Sequence, residues 1–312
     1  MSLRTRTLAL LRPLASLVGV SAVLLAYSEF LFLNEEPVRV LLSAQQASAS
    51  ALFVAEMLAL YMAAGLLLLA LQAQLTSWGR VILVGALIGW AIEAAMVPAA
   101  YEAPPLSYLW TSVAWHGAVD VAFGVVAMRI ALRGRLLMAL IATLGLGIFW
   151  GVWAPWPWPE TQLTTAEFAL LVGVTCALLI SGYALMDWGA AALPRWLFWP
   201  ALAINGALWG LNAAGHVAAA LGLAVMIRLT ALALRHAPSK RALWPSRARR
   251  NKWRYGLILI SGAVALGLYS TQHRGQPLVT AELAIFAVLI CGSGWYAIAL
   301  AQGLLAAWRR YR

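Results

Sequence analysis

The chain has 312 residues, 63% of them hydrophobic and 11% charged, with a mean hydropathy of +0.82 and a formal net charge of +11. A water-soluble domain of this length carries about a quarter charged residues, so water is excluded as the main solvent, and no segment is polar enough to form a separate soluble domain. The positive charge lies in alternate loops between apolar runs, which points to a bilayer and not to nucleic acid.

The predicted elements follow in chain order, as apolar stretches near the length of about twenty residues that crosses a hydrocarbon core. Arg4, Arg6 and Arg12 precede the first run in the manner of a signal sequence. No small-residue cleavage site interrupts that run, so Leu14 to Leu33 reads as a retained first helix. Helix 2 is expected over Ala51 to Leu71, helix 3 over Val81 to Ala100, and helix 4 over Tyr108 to Ala131. Helix 5 covers Leu136 to Trp153, helix 6 Thr165 to Met186, and helix 7 Trp196 to Leu211. Helix 8 covers Ala214 to Leu234, helix 9 Tyr255 to Tyr269, and helix 10 Leu278 to Ala301. The stretch from Leu193 to Pro238 is too long for one crossing, and Gly210, Asn212 and Gly215 supply a turn to divide it. Cys176 and Cys291 fall inside apolar runs and read as small packing residues, not as a disulfide or redox pair.

With the N-terminus in the cytoplasm, only Arg39 and Arg274 of the 22 Lys and Arg residues fall on the outer side. The outer loops instead carry Glu35, Glu36, Glu102, Glu160 and a Pro-Trp run from Pro155 to Pro159. An odd helix count would spoil the alternation. The expected fold is therefore all-α: a polytopic transmembrane helical bundle of about ten helices, built from repeated hairpins, with both termini inside. The whole of 1–312 reads as a single transmembrane domain in the cell (inner or plasma) membrane.

Internal repeats accompany this pattern. LTTAEFALLVGVTCALL, from Leu163, matches LVTAELAIFAVLICGSG, from Leu278, and sets Glu167 over Glu282 and Cys176 over Cys291. A fainter copy, FVAEMLAL, carries Glu56. Helices 4 and 8 pair His116 with His216, and helices 3 and 7 pair Glu93 with Asn205. The repeats span approximately 1–135, 136–236 and 253–312, around a basic cytoplasmic loop at 237–252. Each unit holds an even number of helices, so the copies are parallel rather than inverted.

The ionisable residues inside the spans share a depth, within about two turns of the outer helix ends. His116 and Asp120 are four apart and face one way. Glu93 lies as far before the outer end of helix 3 as His116 lies after the start of helix 4, so the two sit level across a hairpin. A buried carboxylate costs at least about 2.5 kcal/mol unless paired, protonated or wetted. The expected centre is thus an outward-facing polar pocket of Glu93, His116 and Asp120, with His216 and Glu56 from neighbouring hairpins. Its imidazole and carboxylates suit cation binding, proton relay or metal ligation. Glu167 and Glu282, each two residues after a threonine, read instead as helix-start residues favoured by the dipole and capped by Thr165 or Thr280. In the basic loop, Arg247, Arg249, Arg250 and Lys252 could hold anionic lipid headgroups or serve as a topology anchor.

Several chemistries lack their minimum parts: there is no GxSxG elbow, no P-loop, no HExxH or comparable metal-ligand spacing, and no lysine within a span. No cofactor is specified. Three function classes stay open. The first is a small-solute or ion-coupled carrier or binding protein using the polar pocket. The second is an integral-membrane enzyme acting on a lipid or isoprenoid, with His116 and Asp120 or Glu93 as acid and base. The third is a non-catalytic assembly or regulatory protein in which the polar residues are packing glue. The lipid bilayer is the one partner common to all.

Overall fold

A computed structural model describes residues 3–43, 47–155, 163–189, 197–240, 242–244, 252–272 and 281–311, and all regular structure among them is helical. In chain order the α-helices are α1 (Leu3–Leu25), α2 (Glu35–Ser43), α3 (Ala47–Leu71), α4 (Trp78–Trp90), α5 (Leu106–Leu109) and α6 (Arg129–Arg133). They continue with α7 (Leu136–Trp153), α8 (Thr165–Gly189), α9 (Phe198–Ala213), α10 (Val217–His236), α11 (Ile258–Gln272) and α12 (Ala281–Tyr311). Three stretches are wound more widely, as π-helix: Ala26–Leu31 after α1, Ala91–Met96 after α4, and 19 residues, Trp110–Met128, between α5 and α6. Such winding is rare beyond a single turn and concentrates at functional sites.

Among the described residues nine helical stretches are long and apolar enough to cross a membrane. They coincide with nine of the ten spans expected from sequence. The remaining one, expected at Trp196 to Leu211, is the 16-residue α9. The division between helices 7 and 8 is present: α9 ends at Ala213, and the His216 amide bonds back to the Ala213 carbonyl before α10 begins. Large apolar side chains stand exposed at helical spacing, such as Leu137, Ile141, Leu144 and Ile148 on α7 and Val217, Leu221 and Val225 on α10. Patches of this extent are disfavoured in water and suit contact with lipid chains.

The chain divides into two compact units. One comprises Met1–Tyr61, Ala127–Ala191 and Arg247–Phe286. In it α1 lies along α8 and α7 along α11. A Cβ on Gly19 would stand 2.6 Å from the Gly182 carbonyl oxygen, so the absence of a side chain sets how closely α1 and α8 approach. Gly147 and Gly151, one turn apart on α7, meet Ser261 and Ala265 on α11 in the same way. Apolar groups in lipid gain little from association, so close backbone packing of this kind is a main source of helix adhesion. Trp150, Phe168 and Tyr269 fill the remaining space, with the Phe168 and Tyr269 ring centres 4.2 Å apart.

The other unit comprises Met62–Val126, Ala192–Ser246 and Ala287–Arg312. Here α4 packs on α10, and the π-helical turn that follows α4 packs on α9. Gly292 of α12 approaches the Ala114 backbone, and Gly303 approaches Ala233 of α10. Trp90 meets Tyr296 edge to face at 6.0 Å. Lys240 and Leu243 are tied to the turn before α4: the Lys240 amide bonds to the Thr76 carbonyl and the Leu243 amide to that of Leu75. Arg80 adds bonds to the carbonyls of Gln74 and Ala237.

Candidate functional site

The site lies wholly within the second unit and begins with two glycines. Gly85 and Gly89 precede Glu93 at four-residue spacing, so all three fall on neighbouring positions of one helix face. A Cβ on Gly89 would stand only 2.6 Å from the Ser112 carbonyl carbon, and one on Gly85 would stand 2.8 Å from Gly117 Cα. The two helices therefore touch backbone to backbone, and Glu93 spans the short gap. In the wide turn carrying Glu93, the carbonyls of Ala94 and Ala95 accept from Tyr101 Oη at 3.2 Å and Asn212 Nδ2 at 2.8 Å. Trp90 Nε1 donates to the Tyr108 carbonyl at 3.0 Å and ties the ends of the hairpin.

His116 projects into this junction with both ring nitrogens engaged. Nδ1 lies 2.6 Å from Asp120 Oδ2, and Nε2 lies 2.6 Å from Glu93 Oε1. Glu93, His116 and Asp120 are 7%, 4% and 0% exposed, so bulk water does not screen them. Each nitrogen-to-carboxylate contact needs one proton between its atoms, since neither an imidazole lone pair nor a carboxylate donates by itself. The three groups thus hold at least two protons, and with two their charges sum to −1. Asp120 Oδ1 is buried and has no hydrogen-bond partner among the described residues.

The other sequence candidates lie elsewhere. His216 is exposed at the start of α10, its ring stacked on Tyr101 at 5.2 Å. Glu56 is exposed on α3, and Glu282 on α12. Glu167 closes a capping box, its Oε2 accepting from the Thr164 amide and hydroxyl at 2.7 Å each while Thr164 Oγ1 accepts from the Glu167 amide. The cap is therefore Thr164, where sequence suggested Thr165; Thr280 lies outside the described residues. Lys252 is exposed, and Arg247, Arg249 and Arg250 lie outside the described residues. Among the described residues no group of three or more His, Cys, Asp or Glu side chains could hold a metal ion.

Comparison with known proteins finds no family model that matches this chain, and no curated protein or solved structure with significant similarity to it. The chemistry therefore has to be read from the residues themselves.

Two buried polar centres in the first unit were not singled out from sequence. Glu29, 8% exposed in the π-helical turn after α1, accepts from Asn34 Nδ2 at 2.7 Å and from Tyr61 Oη, and that hydroxyl also meets Ser28 Oγ at 2.6 Å. Its signal was a carboxylate inside an otherwise unbroken apolar run. The second centre is Asp187 near the end of α8. It accepts from Arg129 at 2.9 Å and pairs with Arg133, and it also receives the Tyr255 hydroxyl. Arg129 is fully buried and gives a further bond to the Met186 carbonyl. Opposite charges at the same ends of helices 4 and 6 were the cue.

Proposed function

We propose that this chain is a multi-pass membrane protein that binds and carries a small solute in step with a cation, and that Glu93, His116 and Asp120 form its coupling centre. The observation that carries this reading is an imidazole clamped at 2.6 Å on each side by carboxylates, buried between spans long enough to cross a bilayer. A cluster with net negative charge is costly in an apolar surround, and taking up one cation removes that cost. The unpartnered Asp120 Oδ1 supplies an acceptor for it. Both ring nitrogens face carboxylates, so the imidazole presents neither to a substrate, which favours the carrier reading. In the same proposal the termini and the basic loop face the cytoplasm of a cell membrane, anionic lipids meet that loop, the hairpins descend from parallel repeats, and the cluster opens outward.

A deletion strain complemented with wild type, H116N or an empty vector tests this by profiling intracellular solutes at matched membrane abundance. A solute set that changes in the empty-vector strain and equally with H116N supports the reading. Wild-type solute levels with H116N contradict it, and changes confined to lipid species move the assignment to the enzyme.

A further inference from the structure

We infer that the ion taken up by the Glu93–His116–Asp120 cluster is a single proton, held on Asp120 Oδ1, and that metal cations are not accommodated. This deepens the coupling-centre reading and rests on it. The first ground is the proton count. Two protons already bridge the ring to Glu93 Oε1 and Asp120 Oδ2, leaving a charge of −1. A third proton arriving from water forms one O–H bond on Asp120 Oδ1 and brings the cluster to neutrality. No electron moves, and no other group need change.

The second ground is the atom itself. Asp120 is 0% exposed, and its Oδ1 is an orphaned acceptor among the described residues. Buried polar atoms are satisfied in the great majority of folded proteins, so this unpaired carboxylate oxygen is the atom of the cluster left to take up charge. A proton on it removes the buried charge without extra room. Hard metal cations need about six oxygen ligands. Here Glu93 Oε1 and Asp120 Oδ2 are already committed to the ring, and among the described residues no group of three or more His, Cys, Asp or Glu side chains could hold a metal ion.

The third ground is the surround. Glu93 is the carboxylate that α4 and its π-helical turn bring to the cluster, and Arg80 of α4 is bonded to the Gln74 and Ala237 carbonyls. Phe198–Ala213 of α9 contains no charged residue. On α10, His216, Arg228 and Arg235 are exposed, and the His236 ring meets that of Tyr311. On α12, Arg309 and Arg310 are exposed, and Tyr296 Oη is bonded to Thr230. The hydroxyls of Tyr101 and Tyr108 are committed to the carbonyls of Ala94 and Ala219, and Ser112 Oγ to that of Ser107. Among the described residues these ionisable groups are exposed, or bonded or packed elsewhere.

The chain has only two aspartates, Asp120 and Asp187, and Asp187 is held by two arginines. This permits a direct test by pH-difference infrared spectroscopy on the purified full-length protein carrying carboxyl-labelled aspartate. The expected result is a protonated-carboxyl band that appears as pH falls, shifts with the label and is lost in D120N. The band should be unchanged when sodium replaces choline at fixed pH. The labelled wild type tests this even if D120N fails to fold. A band that sodium suppresses at fixed pH overturns the proton inference but leaves a cation-coupled carrier standing. Absence of both the band and any sodium response overturns the inference and the coupling-centre reading together.

Discussion

Substituting asparagine for Asp187 tests whether the polar knot of the first unit is as buried as it stands. The carboxylate is 3% exposed and serves Arg129, Arg133 and Tyr255 at once, while Arg129 is 0% exposed. Removing one partner of a buried ion pair costs about 3–5 kcal/mol, because the other charge stays desolvated. The lower end applies here, since the Arg133 side chain retains 13% exposure and can turn toward water, whereas Arg129 cannot. A loss of about 3 kcal/mol is on the order of a hundredfold in the folding equilibrium. Reversible unfolding of the purified protein in mixed micelles with rising dodecyl sulfate, followed by circular dichroism, measures it. The double variant R129M/D187M should recover at least half of the loss, because an apolar pair of similar size replaces a buried ion pair at little net cost. A D187N protein within about 0.5 kcal/mol of wild type, as expected for a surface change, would refute the reasoning.

Three further outcomes follow from the packing and caps. G89V places side-chain atoms against the Ser112 backbone, so it should lower stability by about 1–3 kcal/mol in the same assay and separate Glu93 from His116; wild-type stability would deny the close approach. T164A removes the partner of the Glu167 amide and should speed hydrogen exchange at that amide, with little change deep in α8; an unaltered rate would reject the capping box. Burial, with Tyr108 beside it, pushes the Tyr101 phenol up from 10.0 to about 12. The fold favours the neutral phenol, so its contribution is complete below pH 10 and is lost as pH rises toward 12. The stability gap between wild type and Y101F should shrink across that window, and a constant gap would show that Tyr101 ionises equally in both states.

Much of this was legible in the residues, for definite reasons. Apolar runs of spanning length announce helices directly, because a bilayer forces every backbone amide into internal hydrogen bonds. The level placement of Glu93 and His116 needed only hairpin geometry, and the His116–Asp120 pair only helical spacing. What brings the hairpin close enough was also written in the chain, as Gly85 and Gly89, but those glycines are lost in a background of 25. The π-helical winding of Trp110–Met128 has no sequence signature, because it expresses how neighbours pack. Glu29 does not stand out in the sequence because the nearby Glu35 and Glu36 read as loop residues, and Asp187 does not because a carboxylate at a helix end needs no partner until the arginines are placed beside it. His216 was paired with His116 by local similarity, yet similarity of a few residues does not determine which side of a helix is covered.

The central claim is tested most directly by electrical recording from the purified chain. The protein is reconstituted in liposomes on a solid-supported membrane and challenged with the solutes that the deletion strain accumulates or lacks. A coupled carrier centred on Glu93, His116 and Asp120 gives a transient current in the wild type that falls at least tenfold in folded H116N and D120N. Equal currents in the variants and the wild type would contradict the account, as would no current from any of those solutes in the wild-type protein.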